Sequence, residues 1–85
     1  MPAVLTYGNS LQTFSVEPNG MLTQRYFDGT WHNLGLGAGC KPTAVPVVFR
    51  GYGGEIGRLD VFAEAPSGMG HAWFSNGAWN FEILA

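Results

Sequence analysis

Aromatic rings and planar polar side chains are the groups in this sequence best suited to binding a small ligand. The rings are Tyr26, Trp31, Trp73 and Trp79, and the polar side chains are Gln12, Gln24, Arg25, Asp60 and His71. An aromatic face covers the apolar C–H surface of a sugar ring, while a few planar polar groups orient its hydroxyls. These residues are therefore the predicted ligand-binding set, with a carbohydrate as the class of ligand.

Each of these residue types also has a purely structural use. The three tryptophans are equally suited to filling a hydrophobic core. Gln12 and Asp60 stand on otherwise apolar segments, where a polar side chain commonly hydrogen-bonds to backbone between packed units. His71 fits a structural histidine, and Arg25 fits a solvated charge at a strand edge. The sequence leaves both interpretations open.

Catalysis and metal binding have weaker support. Cys40 has His32 nearby in sequence and Ser75 has His71, but neither pair occupies a recognised catalytic turn. The two histidines are 39 positions apart and lack the neighbouring ligands of a zinc site. We therefore expect a protein that is not an enzyme and that carries no cofactor and no metal.

Composition argues against several classes of partner. The four basic residues are scattered along a chain of net charge −2, so no nucleic acid is expected. No run of about 18 apolar residues could span a membrane, and no signal peptide is visible. We expect a soluble protein of unknown compartment, with export or release left open. The charged fraction of 12% and aromatic fraction of 14% suit an all-β protein that covers much of its surface with itself.

The sequence repeats itself at a constant offset of 48 positions between residues 11–31 and 59–79. The matched pairs are Leu11 and Leu59, Phe14 and Phe62, Pro18 and Pro66, Gly20 and Gly68, Met21 and Met69, Gly29 and Gly77, and Trp31 and Trp79. This pattern predicts two copies, over residues 1–37 and 38–85, which together form one structural unit. Gln12 and Asp60 occupy the same position in the two copies.

Each copy reads as four short strands separated by turn residues. The predicted strands are Ala3–Tyr7, Ser10–Glu17, Met21–Phe27, Thr30–Leu34, Ala44–Arg50, Arg58–Ala65, Met69–Phe74 and Ala78–Leu84. Asp28-Gly29 and Asn76-Gly77 are strong hairpin signals, because both supply residues that tolerate positive φ. Four strands in about 42 residues is the period of a β-propeller blade.

The predicted fold class is therefore an all-β propeller built from two four-stranded blades in each chain. Two blades cannot close a ring, since propellers have about 4–8 blades, so a homo-oligomer is expected. Three chains giving six blades is the preferred assembly, with Phe62 on the inner strand of the second copy and packed at the interface between chains. A single eight-stranded barrel or sandwich is the structural alternative.

Two stretches, Leu22–Trp31 and Arg58–Ala63, resemble blades of bacterial and fungal β-propeller lectins. The layout is similar to that of the small two-blade fucose-binding bacterial lectins, which trimerise into a six-bladed ring. In the second copy, His71–Phe74 and Gly77–Trp79 look closer to repeats of larger seven-bladed bacterial lectins. The resemblance implies a multivalent lectin whose partners are glycans; a ring used for protein docking or structure is the alternative.

The residues that grip fucose in those lectins are replaced here. The resemblance implies an arginine where this chain has Gln12 and Asp60. It implies a glutamate where the chain has Gln24 and, by the ungapped offset, Ala72, with His71 one place earlier. A glycan partner is thus implied without fucose being fixed as the sugar. Because Asp60 and His71 belong to its copy, Trp79 is expected to matter to binding at least as much as Trp31.

Overall fold

The computed structural model describes residues 3–7 and 10–85, with side chains described from residue 11 onward. The described chain is all-β, and its strands form two antiparallel sheets, neither of which closes on itself. The first sheet has the order β1 (Ala3–Tyr7), β2 (Ser10–Val16), β3 (Leu22–Phe27) and β4 (Trp31–Gly37). The second has the order β5 (Val47–Arg50), β6 (Leu59–Ala65), β7 (Gly68–Ser75) and β8 (Ala78–Leu84).

The strand predictions are confirmed in number and order, with differences at the ends. The strand predicted from Ala44 begins only at Val47, directly after Pro46, whose missing N–H cannot join a ladder. β4 runs beyond the predicted Leu34 to Gly37, where the register with β3 shifts at a bulge between Leu22 and Thr23. The glycine-rich connection from β5 to β6 contains a short 3-10 turn at Tyr52–Gly54.

Two tight turns show why the hairpins form where they do. Asn76 and Gly77 both have positive φ, of 53° and 77°, as a two-residue hairpin turn between Ser75 and Ala78 requires. Gly20 has a φ of 86°, and a Cβ there would lie 2.9 Å from the carbonyl oxygen of Cys40. The Cys40 N–H donates to the Gly20 carbonyl at 3.0 Å. This bond ties the connection between the sheets to the β2–β3 turn.

The core lies between the two sheets, which stack face to face. Its buried members are Phe14, Val16, Leu22 and Leu36 from the first sheet, Leu59, Val61, Ala63 and Ala72 from the second, and Cys40 and Ala44 from the connection. Small residues let the sheets approach closely: a Cβ on Gly37 would overlap the ring of Phe81, and one on Gly70 would reach 2.6 Å from the Cys40 sulfur. The alternation of side chains along each strand then gives every sheet an inner face, toward the core, and an outer face.

Phe62 is not part of this core. It lies on the outer face of the second sheet, half-buried, with its ring edge-on to Phe49 at 6.0 Å. Phe14, its partner in the sequence repeat, is completely buried between the sheets. Within one chain, Phe14 fills the core between the sheets, and the prediction that Phe62 packs at the interface between chains stays a prediction.

Candidate functional site

A pocket of about 330 Å³ opens between the two inner faces and is called here the inter-sheet pocket. Its volume lies within the range of about 300–1,000 Å³ typical of small-molecule sites. It is lined by Gln12, Gln24, Tyr26 and Leu34 from the first sheet and by Leu59, Phe74, Gly77 and Trp79 from the second. Two amides therefore face an aromatic wall across the space between the sheets.

The polar wall of the inter-sheet pocket is a buried pair of amides. Gln12 and Gln24 are only 6% and 5% exposed, and the Gln24 NH₂ group donates to the Gln12 carbonyl at 2.5 Å. The bond leaves the NH₂ group of Gln12 and the carbonyl of Gln24 as further donor and acceptor. No buried side-chain polar atom lacks a partner in the part of the chain described. The pair therefore offers the pocket a donor and an acceptor, which are the groups that bond to hydroxyls.

The aromatic wall joins the pocket to the core. Trp79 packs tilted against Phe74, with ring centroids 5.5 Å apart, and meets Phe14 edge to face at 6.1 Å. On the opposite wall Tyr26 stacks on His32 at 4.8 Å. Trp79 is half-buried, so it both packs against the core and presents ring surface to the pocket. The two interpretations of this tryptophan are therefore compatible.

A second polar group of residues, the charged cluster, lies on the outer face of the second sheet and consists of Arg58, Asp60, His71 and Glu82. Arg58 donates to the Asp60 carboxylate through Nε at 2.7 Å and through a terminal nitrogen at 2.9 Å. His71 bridges two carboxylates, with Nε2 2.7 Å from Asp60 and Nδ1 2.9 Å from Glu82. The charged cluster therefore links three neighbouring strands, β6, β7 and β8.

The electrostatics of the cluster centre on Asp60, which is 5% exposed. The hydrogen bond from Arg58 lowers the pKa of the Asp60 carboxyl, and the bond from His71 adds to that effect against the opposing cost of burial. The same bond to Asp60 raises the pKa of Arg58. Within the chain, Asp60 thus bonds to the side chains of Arg58 and His71, and a bond from Asp60 to the backbone of another packed unit stays a prediction.

Aromatic rings cover the imidazole of the charged cluster. His71 is stacked between Phe62, at 4.4 Å and 5° between planes, and Trp73, at 4.8 Å and 24°. These three rings form a continuous stack on the outer face. Trp73 therefore belongs with Asp60 and His71 and not with the inter-sheet pocket.

The strand register corrects the predicted correspondence between the two copies. Gln24 lies opposite Phe14, and His71 lies opposite Phe62, so His71 and not Ala72 is the counterpart of Gln24. The difference arises because the β6–β7 hairpin is one residue shorter between these partners than the β2–β3 hairpin. Ala72 is fully buried in the core. The bonds Gln12–Gln24 and Asp60–His71 therefore occupy the same place in their sheets.

Arg25 and Trp31 lie on a third surface, the outer face of the first sheet. An open depression of about 630 Å³ there is lined by Thr13, Ser15, Arg25, Trp31 and Asn33. Arg25 donates through Nε to the Asn33 side chain at 2.8 Å. Trp31 is 52% exposed and tilts against Phe27 at 5.3 Å.

The predicted residues therefore divide into three sets within one chain. Gln12, Gln24, Tyr26 and Trp79 meet at the inter-sheet pocket; Asp60, His71 and Trp73 lie on one outer face, and Arg25 and Trp31 on the other. Sequence reasoning missed Glu82, which pairs with His71 only through the β7–β8 register. It also missed Leu59 and Phe74, whose apolar character carries no signal of a pocket.

The remaining reactive groups have structural partners. Burial raises the pKa of the Cys40 thiol, and the Ser75 hydroxyl donates to Glu55 at 2.6 Å, not to His71. Among the described residues there is no group of three or more histidine, cysteine or acidic side chains placed to hold a metal ion. The same residues include no helix of the length and apolarity needed to cross a membrane.

Comparison of the chain with protein-family models, with curated proteins and with solved structures finds no match. Function is therefore inferred from the geometry of the pocket and of the two outer faces.

Proposed function

We propose that this protein is a carbohydrate-binding lectin without catalytic activity, and that it binds sugar in the inter-sheet pocket. The observation that carries the proposal is the buried Gln12–Gln24 pair facing Trp79 across that pocket. Fixed amides donate and accept hydrogen bonds to hydroxyl groups, while the indole covers the apolar side of a sugar ring. None of the described lining residues is charged, which favours a neutral sugar.

The proposal includes the assembly. Each sheet has four antiparallel strands, the number in a propeller blade, and the face-to-face stacking of the two sheets supports an arrangement as neighbouring blades. Completion of the ring by further copies, with three chains supplying six blades, would repeat the sugar sites and give multivalent binding. The resemblance of Leu22–Trp31 and Arg58–Ala63 to blades of bacterial and fungal β-propeller lectins supports the same proposal.

A glycan array followed by titration of the best ligand tests the lectin function. We expect binding of a neutral glycan by the wild-type protein and about tenfold weaker binding by Gln12→Ala, since one hydrogen bond contributes about 0.5–1.5 kcal/mol. Thr43→Ala, at an exposed position in the connection between the sheets and outside the lining of both pockets, is the control and should bind normally. Circular dichroism confirms that both variants are folded. Unchanged affinity in Gln12→Ala would show that sugar does not bind in the inter-sheet pocket. An array without any bound glycan would refute the lectin function.

A ring for protein docking is the second candidate, and one region favours it. In the β5–β6 connection, Tyr52 is 70% exposed and Ile56 is 100% exposed. Large apolar side chains that face solvent together often mark interaction sites. The Arg58 guanidinium lies 5.3 Å from the Tyr52 ring, which orders one side of this connection. The glycan array separates the two candidates, because a docking module would bind none of the sugars.

A further inference from the structure

The chain contains two Asn-Gly dipeptides, Asn19-Gly20 in the β2–β3 turn and Asn76-Gly77 in the β7–β8 turn. An asparagine followed by glycine can lose its side-chain nitrogen as ammonia without an enzyme, when the backbone nitrogen of the glycine attacks the asparagine Cγ. Glycine hinders this attack least, because it has no Cβ and the most freely moving backbone. The two dipeptides are chemically identical, so a difference in their reactivity must come from the fold.

Hydrogen bonds hold the reacting atoms of Asn19 and Gly20. The Gly20 N–H donates to the Glu17 carbonyl at 2.8 Å, and the Asn19 Oδ1 accepts from the Met21 N–H at 3.1 Å. Gly20 is also buried, and its carbonyl accepts from the Cys40 N–H at 3.0 Å. Because the glycine nitrogen must give up its proton to attack, these bonds protect Asn19.

The same atoms of Asn76 and Gly77 are not held. Both residues are exposed, as is Ala78 after them. Within the part of the chain that the structure describes, neither the Asn76 side chain nor the Gly77 N–H makes a hydrogen bond. A Cβ built on Gly77 would meet no atom within 4 Å, so this turn has room to move. The attacking nitrogen and the amide are therefore both accessible to water.

We infer that Asn76 is a site of spontaneous deamidation in the folded protein, that the fold protects Asn19, and that the modification of Asn76 weakens sugar binding in the inter-sheet pocket. The modification itself does not depend on the proposed function, whereas its effect on sugar binding rests on it.

The reaction needs only water and hydroxide. Hydroxide removes the Gly77 amide proton, a bond forms between the Gly77 nitrogen and the Asn76 Cγ, and the bond from Cγ to Nδ2 breaks. Nδ2 leaves as ammonia with a proton from water, which regenerates hydroxide. Water then opens the cyclic imide at Cγ to give aspartate, or at the backbone carbonyl to give isoaspartate, in which the main chain runs through the side chain. Nothing is oxidised or reduced.

Either product changes the rim of the inter-sheet pocket. Gly77 lines this pocket, and Trp79 on the strand that follows forms its aromatic wall. No described lining residue is charged, so both products place a new carboxylate beside a neutral pocket. Isoaspartate also adds a methylene group to the main chain of a turn in which Ser75 pairs directly with Ala78. The pairing that positions Trp79 opposite Phe74 is then disturbed.

The test incubates the folded wild-type protein at mildly alkaline pH and follows both dipeptides by peptide mass spectrometry, which detects replacement of an amide NH₂ by OH. We expect Asn76 to convert about tenfold faster than Asn19, the factor that corresponds to a hydrogen bond broken before reaction. In protein unfolded by guanidinium the two sites should convert at similar rates. Asn76→Gly is the matched variant, because Gly-Gly also suits a two-residue hairpin turn and has no amide to lose.

Sugar binding is measured by titration with the best array ligand before and after incubation. The converted wild-type chains, separated by ion exchange, should bind about tenfold more weakly than fresh protein, as displacement of the Trp79 stacking surface predicts. Incubated Asn76→Gly should keep the affinity of its own fresh sample.

Each other outcome overturns a defined part. Equal rates at the two asparagines of the folded protein, or conversion of Asn76 only after unfolding, would overturn the modification site. Conversion of Asn76 with unchanged sugar affinity would overturn its effect on the pocket and leave the site standing. Fresh protein that binds no glycan would overturn the proposed function together with that effect, while the contrast between Asn76 and Asn19 is still decided by mass spectrometry.

Discussion

The pairs Gln12–Gln24 and Asp60–His71 occupy the same place in the two sheets but use opposite chemistry. The amide pair lies between the sheets, where a charge without a partner would lose its hydration at high cost. The carboxylate–imidazole pair lies on an outer face, and Arg58 supplies the opposite charge. Position 10, which corresponds to Arg58 in the repeat, holds a serine. The backbone position therefore sets the geometry of each pair, and the surroundings decide whether it carries charge.

Phe14 and Phe62 give the largest expected contrast between the inner and outer surfaces. Phe14→Ala should lower the free energy of unfolding by about 3–5 kcal/mol, because a fully buried ring is replaced by a cavity. Phe62→Ala should cost less in the dissociated chain, since its ring lies on the outer face and is only partly buried. Urea unfolding at a concentration where the chain is monomeric measures both. Equal losses in the two variants would show that the core has been assigned to the wrong face.

Asp60→Asn is expected to have the next largest effect. The substitution keeps the shape of the side chain but removes the charge that Arg58 and His71 contact, so it should cost about 2–3 kcal/mol. Gln12→Glu, which places a charge in the corresponding inner position, is the reciprocal variant. It should also destabilise the protein, because no described arginine contacts Gln12. Thermal unfolding at neutral pH measures both variants. A Gln12→Glu variant as stable as the wild type would contradict the conclusion that the surroundings decide whether each pair carries charge.

The pH dependence of stability isolates the Asp60 contribution. The carboxyl has an ordinary pKa of 3.8, and hydrogen bonding to Arg58 lowers it in the folded protein. The unfolded chain therefore binds a proton first as the pH falls, so stability from Asp60 is present above about pH 3.8 and is lost as the pH drops through the folded value. Wild-type stability should fall in that window by more than the stability of Asp60→Asn. If the stabilities of the two proteins fall equally with pH, the lowered pKa does not belong to Asp60.

Local sequence signals predicted the strands, and they did so through turn chemistry. Asn76-Gly77 requires positive φ at both residues, and Pro46 stops a ladder, so such positions are readable without a structure. The division of site residues between faces was not readable. The β6–β7 hairpin loses one residue relative to β2–β3, and the following turn gains one, so the offset of 48 returns at Trp31 and Trp79. Because the two copies match at the same offset before and after this one-residue shift, the sequence alignment does not show it. The aligned residues Met21 and Met69 therefore do not occupy equivalent places in the two sheets.

Trp79 and Trp31 provide the finest comparison, because they occupy the same repeat position on an inner and an outer face. The expectation that Asp60 and His71 assist Trp79 does not fit the structure, since both lie on the opposite face of its sheet and Trp79 faces Gln12 and Gln24 instead.

Replacement of either tryptophan by leucine removes a stacking surface that contributes about 0.5–1.5 kcal/mol, so about 1 kcal/mol of sugar affinity should be lost at the pocket concerned. Trp79→Leu should also lower the unfolding temperature, because its ring contacts Phe14 and Phe74. Trp31→Leu should leave the stability of the dissociated chain nearly unchanged, since its ring is 52% exposed. Tryptophan fluorescence during sugar titration, with melting curves for each variant, measures both effects. A sugar-dependent signal that survives unchanged in both variants, with wild-type affinity, would exclude both rings from the binding sites.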